Sequence, residues 1–307
     1  MIRLAVRVAR EQSELVLAEL LELAPAGVEE VELGEEMVEY AVYGAPGELP
    51  GLPDLDAAVG DAVVEISTSE IADDWGERWK QFHRPILIPA PTTGDTAATT
   101  LPALHVRPPW EAPSDLAEGT VREIVIDPGQ AFGTGAHAST RMCLELLLEL
   151  AARQRPRGPL LDVGTGSGVL AIAAAALGFD PILGLDHELE SVQAASENAV
   201  VNGVEIEVRR FDLRSQPLPW PAGGGWLEEG GGQDQSGAPL VMLANLLRPL
   251  LLELARTMPV APTHLLASGL LIEEVDEIVE AFSGGLGLRE RERRSSGEWA
   301  AVWLATP

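Results

Sequence analysis

In LLDVGTGSGVLAIAAAALG, residues 160–178, a short apolar run bearing one acid, Asp162, meets glycines at 164, 166 and 168 and passes into an alanine-rich stretch of helical length. That is the pattern of a buried strand, a tight turn and a helix packed on the same sheet. Glycine at such a turn lets a ligand approach the backbone and lets the helix lie close to the strand. The spacing is GxGxG, because Val169 and Leu170 follow Gly168, and it departs from the GxGxxG of dinucleotide sites. A tight connection alone would account for the turn. Asp186 adds to it by closing the next apolar run, PILGLD, 22 residues after Gly164. There a carboxylate can accept both hydroxyls of a ribose.

Outward from this stretch, strand-like and helix-like segments alternate from about Val106 onward. Strands are expected at 121–126, 160–164, 181–186, 204–210, 239–244 and 263–268, and helices from Ser139 and over 168–177, 188–201, 248–257 and 272–282. Such alternation predicts an α/β fold, a Rossmann-like doubly wound and mostly parallel sheet with helices on both faces. Residues 288–294 and 299–305, joined by SSGE, read as a closing hairpin at the sheet edge. The stretch 220–237, WPAGGGWLEEGGGQDQSG, is expected to be a mobile surface loop, since its glycines lose more backbone entropy than packing returns.

Toward the other end, residues 2–8, 28–33 and 37–43 alternate, Leu15, Leu20 and Leu23 recur at helical spacing, and 63–67 alternates again. A small α+β, ferredoxin-like domain over 1–72 is expected. Residues 73–91, DDWGERWKQFHRPILIPAP, read as a linker anchored by Trp75 and Trp79, and 92–307 as the larger domain.

Charge narrows the partners. The chain carries 21 Lys and Arg against 48 Asp and Glu, a net of −27, which repels nucleic-acid phosphates and anionic lipid. Direct nucleic-acid binding and membrane association are therefore not expected. Residues 1–72 hold 16 of the acidic residues and three arginines, a net of −13. Either that end steers a basic partner, or the whole surface is adapted to a salty cytoplasm. The single cysteine, Cys143, excludes an intramolecular disulfide, and the five histidines show no ligand spacing, so no metal site is expected. Arg3, Arg7 and Arg10 break the first apolar run, and the runs near 160–179 and 240–254 contain Asp162, Asn245 and Arg248. Neither a secretory signal nor a membrane span is read, and a cytoplasmic protein is expected.

Two further segments carry chemistry. DPGQAFGTGAHASTRMCLELL, residues 127–147, packs Gly129, Phe132, Gly133, Gly135 and His137 into a polar loop of the kind that folds over a ligand, with Ser139 or Thr140 placed to cap the following helix. In LANLLRPLL, residues 243–251, Asn245 ends a strand at the side where open α/β sheets bind ligands. It could offer a carbonyl oxygen to an amine, or it could cap the helix starting near Leu247; its residue type allows either.

Together PGQAFGTGAHAST, LDVGTGSGVLAIAAAALG, GLDHELESVQAASENAVVNG, ANLL, SGLL and GEWAAVWL resemble the class I S-adenosylmethionine-dependent methyltransferases. Within that class the chain resembles the PrmA-like methyltransferases of large-subunit ribosomal protein eleven. The resemblance covers nearly the whole chain, and the FGTGxHxxT loop is its specific part. It implies a methyltransferase sheet binding S-adenosylmethionine, with cofactor contacts at Thr140, Gly164, Gly166, Asp186 and Asn245. It also implies that Phe132, Gly133 and Thr134 close over the cofactor and shape the acceptor channel, and that Asn245 positions the acceptor. The implied substrate is a basic ribosomal protein of the large subunit, methylated on lysine side chains and the N-terminal amine. The chain departs from the family at Ser139, in ANLL for Asn-Ile-Leu, and in the length of 220–237.

Other functions fit less well. A nicotinamide-dependent oxidoreductase requires GxGxxG and leaves the FGTGxH loop unexplained. A nucleic-acid amino methyltransferase places Asn-Pro-Pro-aromatic where Asn245 is followed by Leu-Leu-Arg. A non-catalytic protein on the same scaffold would be expected to lose Asp186 or the glycines, and both are kept.

Overall fold

The computed structural model describes residues 2–13, 16, 20, 29–33, 37–44, 63–70, 83–91, 101–117, 119–127, 135–153, 157–222, 225–227 and 240–307. The chain divides into two compact units, Met1–Phe82 and His83–Pro307.

In the first unit β1 (Ile2–Ala9), β2 (Glu29–Glu32), β3 (Met37–Gly44) and β4 (Val63–Glu70) form an antiparallel sheet in the order β2-β3-β1-β4. The successive strands β1 and β2 are split by β3, which is the ferredoxin-like order. Leu4, Val6 and Val8 of the central strand are buried, as are Val16 and Leu20 of the helical stretch that follows. Leu15 and Leu23, expected on the same helix, lie outside the described residues. Arg7 faces Glu39 on β3 and Glu65 on β4 in register, and donates to them at 2.6 and 2.7 Å. Opposite charges at directly paired cross-strand positions support that register.

The second unit begins with β5 (Ile86–Ile88), β6 (Ala103–Arg107) and β7 (Val121–Val125), in a sheet where β5 is antiparallel and β7 parallel to β6. Two expectations change here. β5 lies inside 73–91, the stretch read as a linker, because its pairing with β6 draws it into the second unit. β7 belongs to this small sheet rather than the main one. Its apolar residues Ile124 and, just beyond, Ile126 are buried from it.

The chain continues through α1 (Ala138–Arg153), β8 (Leu160–Val163), α2 (Val169–Ala176), β9 (Ile182–Asp186), α3 (Leu189–Val201), β10 (Glu207–Arg210), β11 (Trp220–Ala222), β12 (Gly225–Leu227), β13 (Val241–Asn245), α4 (Arg248–Thr257), β14 (His264–Leu271), α5 (Val275–Leu286), β15 (Arg289–Ser296) and β16 (Trp299–Ala305). The main sheet has the order β10-β9-β8-β13-β14-β16-β15. Its first five strands are parallel, and β16 runs antiparallel to both neighbours as the expected closing hairpin. From β8 the chain winds outward through β9 and β10, then returns to β13 on the other side of β8. That reversal is a topological switch point, where a crevice opens above the carboxyl ends of the strands.

Successive side chains of each strand enter opposite cores. Leu160, Leu243 and Leu266 pack with Leu144, Leu147 and Ile172 of α1 and α2, whereas Leu161, Met242 and Leu265 pack with Leu251, Ile278 and Phe282 of α4 and α5. Each fully buried residue of this size contributes about 1.5–3 kcal/mol, and a sheet packed on both faces makes a rigid platform for what lies at its edge. The stretch 220–237 is not all loop: β11 and β12 pair as a hairpin that buries Trp220 and Trp226. Two indole rings sunk into the α4 and α5 core offset the entropy of the glycines between them. Residues 228–237 lie outside the described residues. Among the described residues no helix is long and apolar enough to cross a membrane.

Candidate active site

The turn between β8 and α2 is made by backbone conformation. Gly164, Gly166 and Gly168 have φ of +77°, +54° and +82°, a left-handed region that other residues enter only at a cost. A Cβ at Gly164 would run into the side chain of Leu246, and one at Gly168 would come within 3.0 Å of Ala195 Cβ on α3. The turn is tied to the neighbouring strand, with the N–H groups of Gly164 and Thr165 donating to Leu185 O at 2.8 and 2.9 Å.

Asp186 ends β9 beside this turn. Its Oδ2 accepts the Gly166 N–H at 2.9 Å and its Oδ1 accepts the Glu188 N–H at 3.1 Å. Its side chain is only 10% exposed. Each oxygen keeps a lone pair for a further donor, so the carboxylate is fixed in place with acceptor capacity to spare.

On the other side of the switch point, Asn245 ends β13 and donates through Nδ2 to Thr140 Oγ1 at 3.1 Å. The residue before α4 in the capping position is Leu247, with no side-chain hydrogen bond there, so Asn245 is not a cap. One N–H of its amide is committed to Thr140, which orients the group and leaves the acceptor Oδ1 and the second N–H to offer. Thr140 and Ser139 are not caps either, because α1 begins at Ala138. The cap is His137, whose ring Nδ1 accepts the Ser139 N–H at 3.3 Å, and whose ring meets Trp299 of β16 edge-on with centroids 4.7 Å apart.

Thr140, Gly164, Gly166, Asp186 and Asn245 all line one cleft of about 190 Å³ at the carboxyl ends of β8, β9 and β13. Residues 105 apart in sequence are thereby brought into hydrogen-bond contact across it. Phe132, Gly133 and Thr134, read as the closing loop, lie outside the described residues, as does Gly129. A second hollow of about 150 Å³ shares Gly164, Asp186 and Leu246 with the cleft and is bounded beyond them by Phe211, Asp212 and Arg214. The sequence reading missed this extension. Its signal was present, since FDLR follows β10 at the same carboxyl edge where ligands bind. Asp212 accepts the Arg214 N–H at 3.0 Å and the Ser215 hydroxyl at 2.8 Å, which holds its carboxyl below the usual range.

Beneath the turn Asp162 is fully buried. Its Oδ2 accepts the Thr165 hydroxyl at 2.8 Å, its Oδ1 has no partner among the described residues, and burial pushes its carboxyl up to about 7. Cys143, on α1, is equally buried and its thiol is pushed up to about 12. It is kept protonated and out of reach, unfit as a nucleophile. Among the described residues no group of three or more His, Cys, Asp or Glu could hold a metal ion.

The cleft suits the S-adenosylmethionine implied by the resemblance. A turn with no room for Cβ allows close approach to its peptide groups, an anchored carboxylate with acceptor capacity to spare suits a ribose diol, and the amide of Asn245 lines the same cleft from β13.

The comparisons agree with this geometry. The family model described as "Ribosomal protein L11 methyltransferase (PrmA)" matches residues 53–306. The ribosomal protein L11 methyltransferase of Syntrophotalea carbinolica is 36% identical over 290 residues, covering 91% of this chain and 78% of that protein. The one from Geobacter metallireducens is 36% identical over 255 residues, covering 80% and 71%. The crystal structure of the ribosomal protein L11 methylase from Lactobacillus delbrueckii subsp. bulgaricus has a TM-score of 0.53 at 24% identity, covering 72% of this chain and 98% of that one, and is alike in fold. On a family match over most of its length and relatives this similar, the chain belongs to the ribosomal protein L11 methyltransferase family, enzymes that use S-adenosylmethionine.

Proposed function

We propose that this protein transfers methyl groups to amino groups of ribosomal protein L11, at lysine side chains and at the N-terminal amine. The observation that carries the reading is the pairing of Asn245 with Thr140 across the same cleft that holds Asp186 and the glycine turn. When bound, S-adenosylmethionine supplies a methyl group already electrophilic on its sulfonium.

The residues of this chain then have three tasks. Asp186 accepts the ribose hydroxyls, and the Gly164 to Gly168 turn brings peptide groups against the cofactor. Asn245 Oδ1 accepts an N–H of the incoming amine and holds its lone pair toward the methyl group, a contribution of orientation. The amine must arrive neutral. From a reference value near 10.4, losing the proton at pH 7.4 costs about 4 kcal/mol, and an apolar approach past Leu246 and Leu250 lowers that cost by disfavouring the ammonium. A carbonyl-type acceptor orients the neutral amine without demanding its charged form, and no residue is assigned as a general base.

Substrate recognition falls to the acidic residues 1–72. None of the cofactor-type motifs precedes Asp127, and a net charge of −13 there attracts a basic protein over long range. This assignment places the enzyme in the cytoplasm, where ribosomal proteins are made. The test is to incubate the protein with labelled S-adenosylmethionine and ribosomal protein L11, then map the label by mass spectrometry. Label on lysine and N-terminal amines that disappears with Asp186→Ala supports the reading, and label absent from L11 overturns it. A chain starting at His83 should keep its cofactor affinity while methylating L11 slower by orders of magnitude; equal methylation would refute the recognition role.

A further inference from the structure

Asn198 of α3 and Asn202, the residue that caps its C-terminus, do for the end of β7 and the residues just beyond it what a neighbouring strand would do. Asn202 Oδ1 accepts the Val125 N–H at 2.8 Å and its Nδ2 donates to Val125 O at 2.7 Å. Asn198 Oδ1 accepts the Asp127 N–H at 2.9 Å and its Nδ2 donates to Asp127 O at 3.4 Å. Positions four apart on a helix share a face, and positions two apart on an extended chain share an edge, so the two side chains meet two successive peptide groups of matching orientation.

The two then differ. The other bond of Asn202 Nδ2 stays within its own helix, to Asn198 O at 2.7 Å. Asn198 Nδ2 instead donates to Ser167 O at 2.9 Å, the carbonyl between Gly166 and Gly168. Asn198 is 2% exposed and Ser167 fully buried, so no water stands ready to replace that donor. One buried amide thus holds the glycine turn and Asp127, two residues beyond β7, in a fixed relation.

We infer that Asn198 is a positioning residue of the cofactor site, holding the peptide groups of the glycine turn in the orientation that receives the cofactor through its bond to Ser167 O. This rests on the reading of that turn as the cofactor's cradle. Asn198 acts through the backbone, whereas Asn202 secures β7 alone and serves as the internal control. An ordinary structural role would make the two interchangeable, because each contributes the same pair of amide bonds to the chain at 125–127.

The test uses the full-length protein with Asn198→Asp and Asn202→Asp. Each change keeps an acceptor for the N–H of Asp127 or Val125 and replaces the amide donor by a carboxylate oxygen. Calorimetry with S-adenosylmethionine should show at least a tenfold loss of affinity for Asn198→Asp and less than a twofold change for Asn202→Asp. In turnover, the KM for S-adenosylmethionine should rise by the same factor for Asn198→Asp while kcat at saturating cofactor changes less than twofold. Equal losses in the two variants, or no loss in either, overturn the inference. Asp186→Ala measured alongside separates the premises: if it also binds normally, the cradle reading fails, and if it alone weakens binding, only the role of Asn198 fails. Should Asn198→Asp not fold, hydrogen exchange on the unaltered protein decides. Adding S-adenosylmethionine should slow exchange of the Asp127 N–H, bonded to Asn198, and leave that of Val125, bonded to Asn202; an equal change at both, or none, overturns the inference.

Discussion

The turn from Gly164 to Gly168 and the turn from Asn245 to Leu247 leave adjacent parallel strands, β8 and β13, at the same end of the sheet. The first presents peptide groups and has three residues at positive φ; the second presents a side chain, and its backbone is ordinary. They are nevertheless one construction. Leu246 fills the space that Gly164 leaves empty, and its backbone passes so close to Gly269 on β14 that a Cβ there would lie 2.6 Å from Leu246 O. The glycines on either side of β13 are therefore required by packing as well as by any ligand. A glycine in such a motif should not be credited wholly to ligand contact.

The largest effect that tests this comparison is Gly164→Ala. Left-handed φ costs an L-residue about 1–2 kcal/mol, and overpacking against Leu246 adds about 1–3 kcal/mol. Denaturant unfolding should show the sum, and calorimetry a loss of cofactor affinity of about a hundredfold or more. Adding Leu246→Ala should recover part of the stability, since the two residues touch; no recovery would mean that the crowding argument is wrong.

The buried acid beneath the first turn comes next. Asp162 is raised from 3.8 to about 7 by burial, so the stability it contributes as a neutral acid is complete below pH 3.8 and is lost as the pH rises through 7. Against Asp162→Asn, which stays neutral and can still accept from Thr165, the unaltered protein should lose up to about 4 kcal/mol between pH 4 and pH 8. Parallel unfolding curves at those pH values check it, and a constant difference between the two proteins would refute the buried-acid picture.

Asp186→Ala removes the anchored acceptor, and two charge-assisted hydrogen bonds at about 1.5–3 kcal/mol each predict a loss of cofactor affinity of at least tenfold with the fold intact. Unchanged binding would remove the central assignment. The smallest effect belongs to the side-chain turn. Asn245→Ala should lower kcat by about ten- to a hundredfold through lost orientation, with less weakening of cofactor binding than Asp186→Ala causes. If cofactor binding suffers most, Asn245 serves the cofactor and not the acceptor.

How much of this could be read beforehand depends on the range of the interaction. The glycine turn and Asp186 were legible because the two strands and the turn are contiguous and the constraint is local. Asn245 was half legible: its position at the end of a strand could be seen, but whether it capped α4 depended on where that helix begins. His137, within a loop whose composition suits a ligand, is also the cap of α1, a task that Ser139 or Thr140 fits better by residue preference. The hairpin at 220–227 was hidden by its glycines, because the gain from burying Trp220 and Trp226 exists only against the core formed by α4 and α5.

By itself the sequence determined the alternation of strand and helix, the doubly wound class, the succession of strands and helix in the first unit, and the glycines and acid at the carboxyl edge. Each of these follows from periodicity or φ preference within one or two elements. Tertiary structure alone decided that Thr140 bonds Asn245, that Leu246 occupies the space above Gly164, that β7 leaves the main sheet for β6, and that Asn198 rather than Asn202 reaches the glycine turn. Those outcomes turn on sub-ångström fit and on buried donors finding acceptors far away in sequence. Such distances exist only once both cores have closed on the sheet.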